Sequence, residues 1–275
     1  MDGSALKNPH AGLKNANPRG HLNGQAHARF GIFDIDSIPN FNGQFFASGF
    51  SFDGTFNSHW YVNTVGNPPQ LGGTTTINAP IIPVSLDLRN FDGSPRFVNG
   101  HRLISDVTPF IQPTLNSPVF ANANWETGSA PTQITDAMQR AEFFKSAKPD
   151  WHTLLSPVVK TARTMTLIRG TYAFALNADG SCCRFVLVDA NTFVNKLFPP
   201  TFPVDNSTVI GAAELAGDMT TKDITTLLFP NTFLFVGNTS NCCILGFHSY
   251  DFEPGVPENG NRERRYVMNY SSWIS

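Results

Sequence analysis

Apolar and polar residues alternate in short runs through much of the chain, the period of half-buried strands rather than of helices. The clearest case surrounds Asp179-Gly180, where Tyr172, Phe174 and Leu176 alternate on one side and Cys183, Phe185 and Leu187 on the other. Asp-Gly supplies the positive φ angles of a type I′ turn, so a two-residue turn here sets Leu176 against Cys183 and Phe174 against Phe185 on one apolar face. The same dipeptide interrupts apolar stretches at Asp53-Gly54 and Asp92-Gly93. Residues 77–88, with Ile77, Ile81, Ile82, Val84, Leu86 and Leu88, predict a further strand, and its Pro80 and Pro83 place the first half at an edge or make it irregular. Strands are also predicted over 233–236, 244–250 and 265–270. Helical spacing occurs over 132–148, where Ile134, Met138, Ala141 and Phe144 share a face, Asp136 and Arg140 stand four apart, and Pro149 ends the run. A shorter helix is predicted from an Asp223 cap through Leu227 and Leu228 to Pro230.

Residues 1–27 show no periodicity and read as a flexible N-terminal arm. No composition break marks a linker, so 28–275 is expected to be a single α+β domain. Its basis is a mixed or antiparallel β-rich sheet with one main helix at about 132–148 and short helices. Charged residues are only 15% of the chain, and the net charge of −2 gives no electrostatic case for nucleic acid as a partner. No apolar run approaches the ~18–20 residues of a membrane span. The 24 Phe, 22 Gly and 20 Pro favour short strands and many turns. Together with Asn-x-Ser/Thr at Asn206, Asn238 and Asn269, they read as an extracellular or periplasmic protein, although 1–27 holds no apolar signal-peptide core.

All four cysteines form adjacent pairs, Cys182-Cys183 and Cys242-Cys243. Zinc ribbons and redox motifs need two intervening residues, whereas neighbours on a strand point to opposite faces. Two such strands side by side would carry one structural disulfide on each face. Buried free thiols, a disulfide within each pair and a metal site are the alternatives.

The search for catalytic motifs is largely negative. No His precedes Glu and no two His lie three or four residues apart, so the paired-His helix of a zinc peptidase is absent. Gly49-Phe-Ser51-Phe-Asp53 lacks the second Gly of a nucleophile elbow, and Leu71-Gly72-Gly73-Thr74 lacks the Lys of a phosphate loop. Asp34 and Asp36, followed by Asn40 and Asn42, offer oxygen ligands for calcium, with ordinary turn chemistry as the competing account. His248 and Asp251 are an acid/base candidate, and His59, His101 and His152, each beside an aromatic residue or Arg, are further catalytic candidates. The aromatic density of 41–65 is either a ligand platform or a sheet core. Arg262-Glu263-Arg264-Arg265 reads as the solvated start of a strand.

Several phrases carry a resemblance. The run from His59-Trp60-Tyr61 to Gly73-Thr74, Ala79-Pro80-Ile81-Ile82-Pro83-Val84, Asn241-Cys242-Cys243 to Phe247-His248, and Arg264-Arg265-Tyr266 to Trp273 resemble a group of uncharacterised secreted bacterial proteins that look like zincin-type metallopeptidases. The likeness covers the part upstream of their His-Glu zinc motif. It implies a sheet half that supports a catalytic helix, zinc only where such a downstream part is present, and no cofactor in this chain itself. No residue here matches the metal-binding motif, and a catalytic zinc needs about three convergent ligands. The expected function is therefore a secreted, disulfide-stabilised domain that is not catalytic alone, partnered by that downstream region. The alternatives are a binding or structural protein that uses 41–65 on an extracellular partner or carbohydrate, and a hydrolase whose His/Asp site follows no motif.

Overall fold

A computed structural model describes residues 38–46, 59–125, 129–200, 203–254, 257, 261 and 263–275. The N-terminal arm, Asp34 and Asp36 lie outside these residues. The first half of the described chain holds β1 (Asn40–Phe46), β2 (His59–Val65), β3 (Thr74–Arg89), the two-residue strands β4 (Phe97–Val98), β5 (His101–Arg102) and β6 (Ile104–Ser105), α1 (Thr108–Leu115) and α2 (Ile134–Glu142). There follow β7 (His152–Val159), β8 (Arg163–Ile168), β9 (Tyr172–Leu176), β10 (Cys182–Asp189), α3 (Ala190–Leu197) and α4 (Val209–Leu215). The last elements are β11 (Ile224–Pro230), β12 (Thr232–Phe235), β13 (Cys242–Ile244), β14 (Gly246–Glu253) and β15 (Arg264–Trp273). The class is α+β, as the alternation predicts.

The main sheet is built around β3. One edge of β3 pairs in parallel with β7 and then β8; the other pairs with β11, which pairs in parallel with β15, and β14 closes that side antiparallel. A strand flanked on both edges and buried on both faces reads as a nearly continuous apolar run, which is what 77–88 shows. The expected edge position is therefore corrected: β3 is central. Its two prolines sit at breaks in the ladders. On the β11 side, pairing stops between Asn78↔Asp223 and Ile81↔Thr226, which brackets Pro80. On the other side, the register shifts by one residue between Ile81↔Val159 and Val84↔Arg163, which brackets Pro83. Each missing N–H thus falls where no ladder bond is made.

The predicted helix from Asp223 is a second correction. Residues 224–230 are β11, with Leu227, Leu228 and Phe229 all buried, because a parallel strand covered on two faces needs no alternation. Asp223 caps no helix; its carboxylate accepts from the Thr220 N–H at 2.8 Å. The main helix is also shorter than 132–148, and its buried side differs. Met138 and Phe144 are 66% and 69% exposed, whereas Asp136 is fully buried and Phe143 packs edge-on against Phe41 and Trp151. Asp136 does not pair with Arg140; Arg140 donates to the Trp151 carbonyl.

The predicted β9–β10 hairpin forms, but its register is corrected, and the buried side of β10 carries Val186 and Val188 rather than Phe185 and Leu187. Leu176 faces Cys182 and Phe174 faces Val186, with a bulge between Cys182 and Phe185. The cause is the turn. Gly180 alone has positive φ (83°), Asn177 and Ser181 close a longer loop, and the Ser181 N–H donates to Asp179. A longer loop ending on a Gly is the alternative to the two-residue type I′ turn.

The second sheet runs β13-β12-β10-β9. It packs with α3 and α4 on one face of the main sheet. Val186, Val188, Phe193, Ile210 and Ala213 meet Leu86, Leu167, Leu227 and Met268 there. Phe193, Phe229 and Tyr270 stack with ring centroids 4.9–5.3 Å apart, and the Tyr270 hydroxyl donates to the Thr232 carbonyl at 2.6 Å. On the opposite face of the main sheet, α1 and the segment that follows it pack over Ala79, Ile81 and Leu228.

Candidate functional site

The period of two along the strands creates the site. While Leu227, Phe229, Met268 and Tyr270 point into the core, Leu228, Thr226, Ser271 and Trp273 point the other way, joined by Ala79 of β3 and Leu155 of β7. These residues floor a cleft of about 680 Å³. One wall is the end of α1 with Val119 and Phe120; the other is Thr135 and Gln139 of α2, beside Thr64 and Val65 from the end of β2. Among the described residues, no Asp, Glu, Lys, Arg or His lines the cleft. Its size falls within the roughly 300–1,000 Å³ of small-molecule sites, and its apolar lining with a few polar groups suits that use.

Side chains hold the α2 wall in place. The outer edge of β7 has no strand partner among the described residues, and α2 caps it instead. The Thr153 N–H donates to Asp136 Oδ1 at 2.8 Å and the Leu155 N–H to Gln133 Oε1 at 2.7 Å. The Gln133 amide returns a bond to the Leu155 carbonyl at 2.8 Å and another to the Phe120 carbonyl at 2.9 Å. Gln133 and Asp136, three residues apart, thus act on this edge as a neighbouring strand would. Asp136 Oδ2 also accepts from the Thr132 hydroxyl at 2.7 Å and meets His152 Nδ1 at 2.8 Å. A carboxylate with several partners offsets the cost of its complete burial.

Three polar atoms on this wall lack partners. Thr135 Oγ1, Gln139 Oε1 and Thr153 Oγ1 are buried without a hydrogen bond, and all three residues line the cleft. The Gln139 amide nitrogen donates weakly to the Val65 carbonyl at 3.3 Å. Gly66, with φ of 115°, lies so close to Thr153 that any Cβ there would collide with its hydroxyl.

The candidate catalytic residues are dispersed. His152 is held by a buried carboxylate, the arrangement that orients a catalytic imidazole. His101 is exposed on β5. His248 is exposed on β14 and Asp251 is fully buried three residues later, so the strand period turns them to opposite faces. His59 opens β2, and its side chain is outside the described residues, as are most of those in 41–65. No group of three or more His, Cys, Asp or Glu suited to a metal occurs among the described residues.

The cysteine pairs do not bridge one another. Asp189 aligns with Phe235, which pairs with Cys242, so Cys182 lies seven residues further along, roughly 23 Å away at ~3.3 Å per residue, with β12 between. A disulfide needs Cα atoms within about 7 Å. Each pair instead closes on itself, Cys182–Cys183 with Cα atoms 3.0 Å apart and Cys242–Cys243 with 3.1 Å. Cross-strand bridging is thus corrected to two vicinal disulfides.

A second hollow of about 350 Å³ is lined by residues that include Arg163, Lys196, Thr164, Thr166 and Ser207. Arg163 already pairs with Asp218 at 2.6 Å, which reduces its pull on an anion. No helix among the described residues is long and apolar enough to cross a membrane. Comparison with protein-family models, with curated proteins and with solved structures finds no match for the chain.

Proposed function

We propose that the chain is a binding domain whose site is the cleft between α1 and α2, and that its ligand is a small, uncharged molecule. The observation that carries this reading is a largely apolar cleft of about 680 Å³ on the sheet face, with no ionisable side chain among the described residues of its lining. Such a surface favours apolar matter over water by about 25 cal/mol per Å² covered. Its polar groups are hydroxyls and amides, which orient a ligand rather than transform it. The aromatic region 41–65 touches the site through Thr64 and Val65.

The test is saturable binding of the neutral apolar dye Nile red. Val119, 39% exposed on the rim, is the position at which to obstruct the cleft. Val119→Trp should weaken dye binding at least about tenfold without loss of folding. Dye binding that is absent, or equal in the two proteins, counts against the reading.

A second reading keeps the resemblance to the upstream part of zincin-type proteins. On it, the same sheet face supports an apolar polypeptide helix, and zinc chemistry belongs to that other segment. What favours it is that the cleft floor runs along β15 through Ser271 to Trp273. Displacement of the dye by apolar helical peptides but by no small molecule would select this reading over the first.

A further inference from the structure

We infer that the cleft selects an uncharged amphiphile, an apolar body ending in a hydroxyl or carboxamide head, and rejects a carboxylate or ammonium on the same body. The inference rests on the binding reading above and adds the ligand's chemical class. Thr135, Gln139 and Thr153 bring their unpartnered atoms to a single wall, the first two one helical turn apart on α2 and the third on the adjacent β7. Across the β11–β15 side of the floor the polar groups are already paired, the Asn269 amide donating to the Thr226 hydroxyl at 3.1 Å and its oxygen accepting from the Ser271 hydroxyl at 2.8 Å, beside the apolar Leu228 and Trp273 and with Phe120 on the α1 wall. The unmet hydrogen-bonding capacity is thus gathered on the α2–β7 wall while the rest of the lining offers apolar surface and polar groups already paired, and a ligand that matches both has one polar head on an apolar body.

The head must donate hydrogen bonds. Gln139 Oε1 can only accept, and one N–H of its amide is engaged with the Val65 carbonyl. Thr135 and Thr153 hydroxyls can donate or accept, so one hydroxyl or one carboxamide on the ligand completes the set. The unpartnered atoms are buried, and rotation about χ1 of Thr135 and χ3 of Gln139 turns them to the ligand; the Thr135 hydroxyl breaks no bond in doing so, and Gln139 gives up only its 3.3 Å bond to the Val65 carbonyl. A charged head meets no counter-ion among the described residues of the lining. A carboxylate would in addition face the Gln139 carbonyl oxygen. Dehydrating a charge without compensation costs far more than dehydrating a hydroxyl or an amide.

The experiment uses four probes with one chain length: decanol, decanamide, decanoate and decylamine, each competing with Nile red at pH 7.5, where the last two are charged. Decanol and decanamide should bind at least about tenfold more tightly than either charged probe. Gln139→Leu should lower the preference for decanamide over decanol. Gln139→Glu should invert the order in favour of decylamine, because it places a carboxylate at the head position. Either variant must still bind Nile red, which shows that it folds. Equal displacement by all four probes, or a Gln139→Glu protein that still rejects decylamine, overturns the inference while the binding reading stands. Failure of Nile red to bind the unaltered protein removes the binding reading itself, and the inference with it.

Discussion

Replacing Asp136 should reveal how strongly the cleft wall depends on one buried carboxylate. Asp136→Ala removes the acceptor of three groups at once: the Thr153 N–H, the Thr132 hydroxyl and His152 Nδ1. The Thr153 N–H is the costly one, since its strand edge is covered by α2, and a buried donor left unsatisfied costs about 1–3 kcal/mol. The Thr132 hydroxyl can rotate and His152, with its side chain 31% exposed, can turn to water, so these two lose about 1 kcal/mol each. The sum is about 4 kcal/mol, a large share of the ~5–15 kcal/mol by which a domain is stable. Asp136→Asn keeps an oxygen for the Thr153 N–H and should cost only about 1–2 kcal/mol. Urea unfolding measures both, and amide hydrogen exchange localises the effect, with Thr153 and Leu155 losing protection before the β11 amides. A loss below about 1 kcal/mol for the Ala variant, or equal losses for Ala and Asn, would refute the clamp that joins α2 to β7.

Four further outcomes are expected. Gly66→Ala should destabilise by about 2–3 kcal/mol in thermal unfolding, because the site combines a φ of 115° with a collision against the Thr153 hydroxyl. Proteolysis between the two cysteine pairs without reductant should release separate fragments, each with its own disulfide; a fragment that links residue 183 to residue 242 contradicts the pairing. Burial, with the Glu253 and Glu214 carboxylates adding to it, pushes the Tyr266 hydroxyl up to about 12. Its folded value lies above the unfolded value of about 10, so the neutral form stabilises the fold fully below pH 10 and that contribution is lost as pH rises through 12. Unfolding midpoints should fall across that window and fall less steeply in Tyr266→Phe. Phe193→Ala, at the centre of the aromatic cluster with Phe229 and Tyr270, should cost about 3–5 kcal/mol in urea unfolding without altering the opposite, cleft-bearing face.

Alternation made the strands legible where one face is buried, as in β9, β10 and β15. It misled where burial is two-sided: the run Leu227-Leu228-Phe229 has no alternation, and an Asp before it imitates a helix start. In 132–148 the apolar spacing of Ile134, Met138, Ala141 and Phe144 pointed to the wrong side, because α2 is held by hydrogen bonds and not by an apolar stripe. The usable signal was the pair Gln133 and Asp136, polar residues three apart before a strand that opens with His152-Thr153. The cysteine doublets gave no sign of which sulfurs meet, since that depends on β12 lying between their strands. The cleft itself was not legible, because its lining comes from segments as distant as Val65 and Trp273 and no local pattern records that they share a surface.

The most direct test of the account is to follow methyl resonances while decanamide is titrated into the protein. The account predicts saturable shifts at Ala79, Leu155, Leu228 and Val119, on the cleft side of the sheet, with Leu227 and Ile82 on the core side unmoved. Shifts at Leu227 and Ile82 in place of Leu228 and Ala79, or no shift at either set, would contradict it.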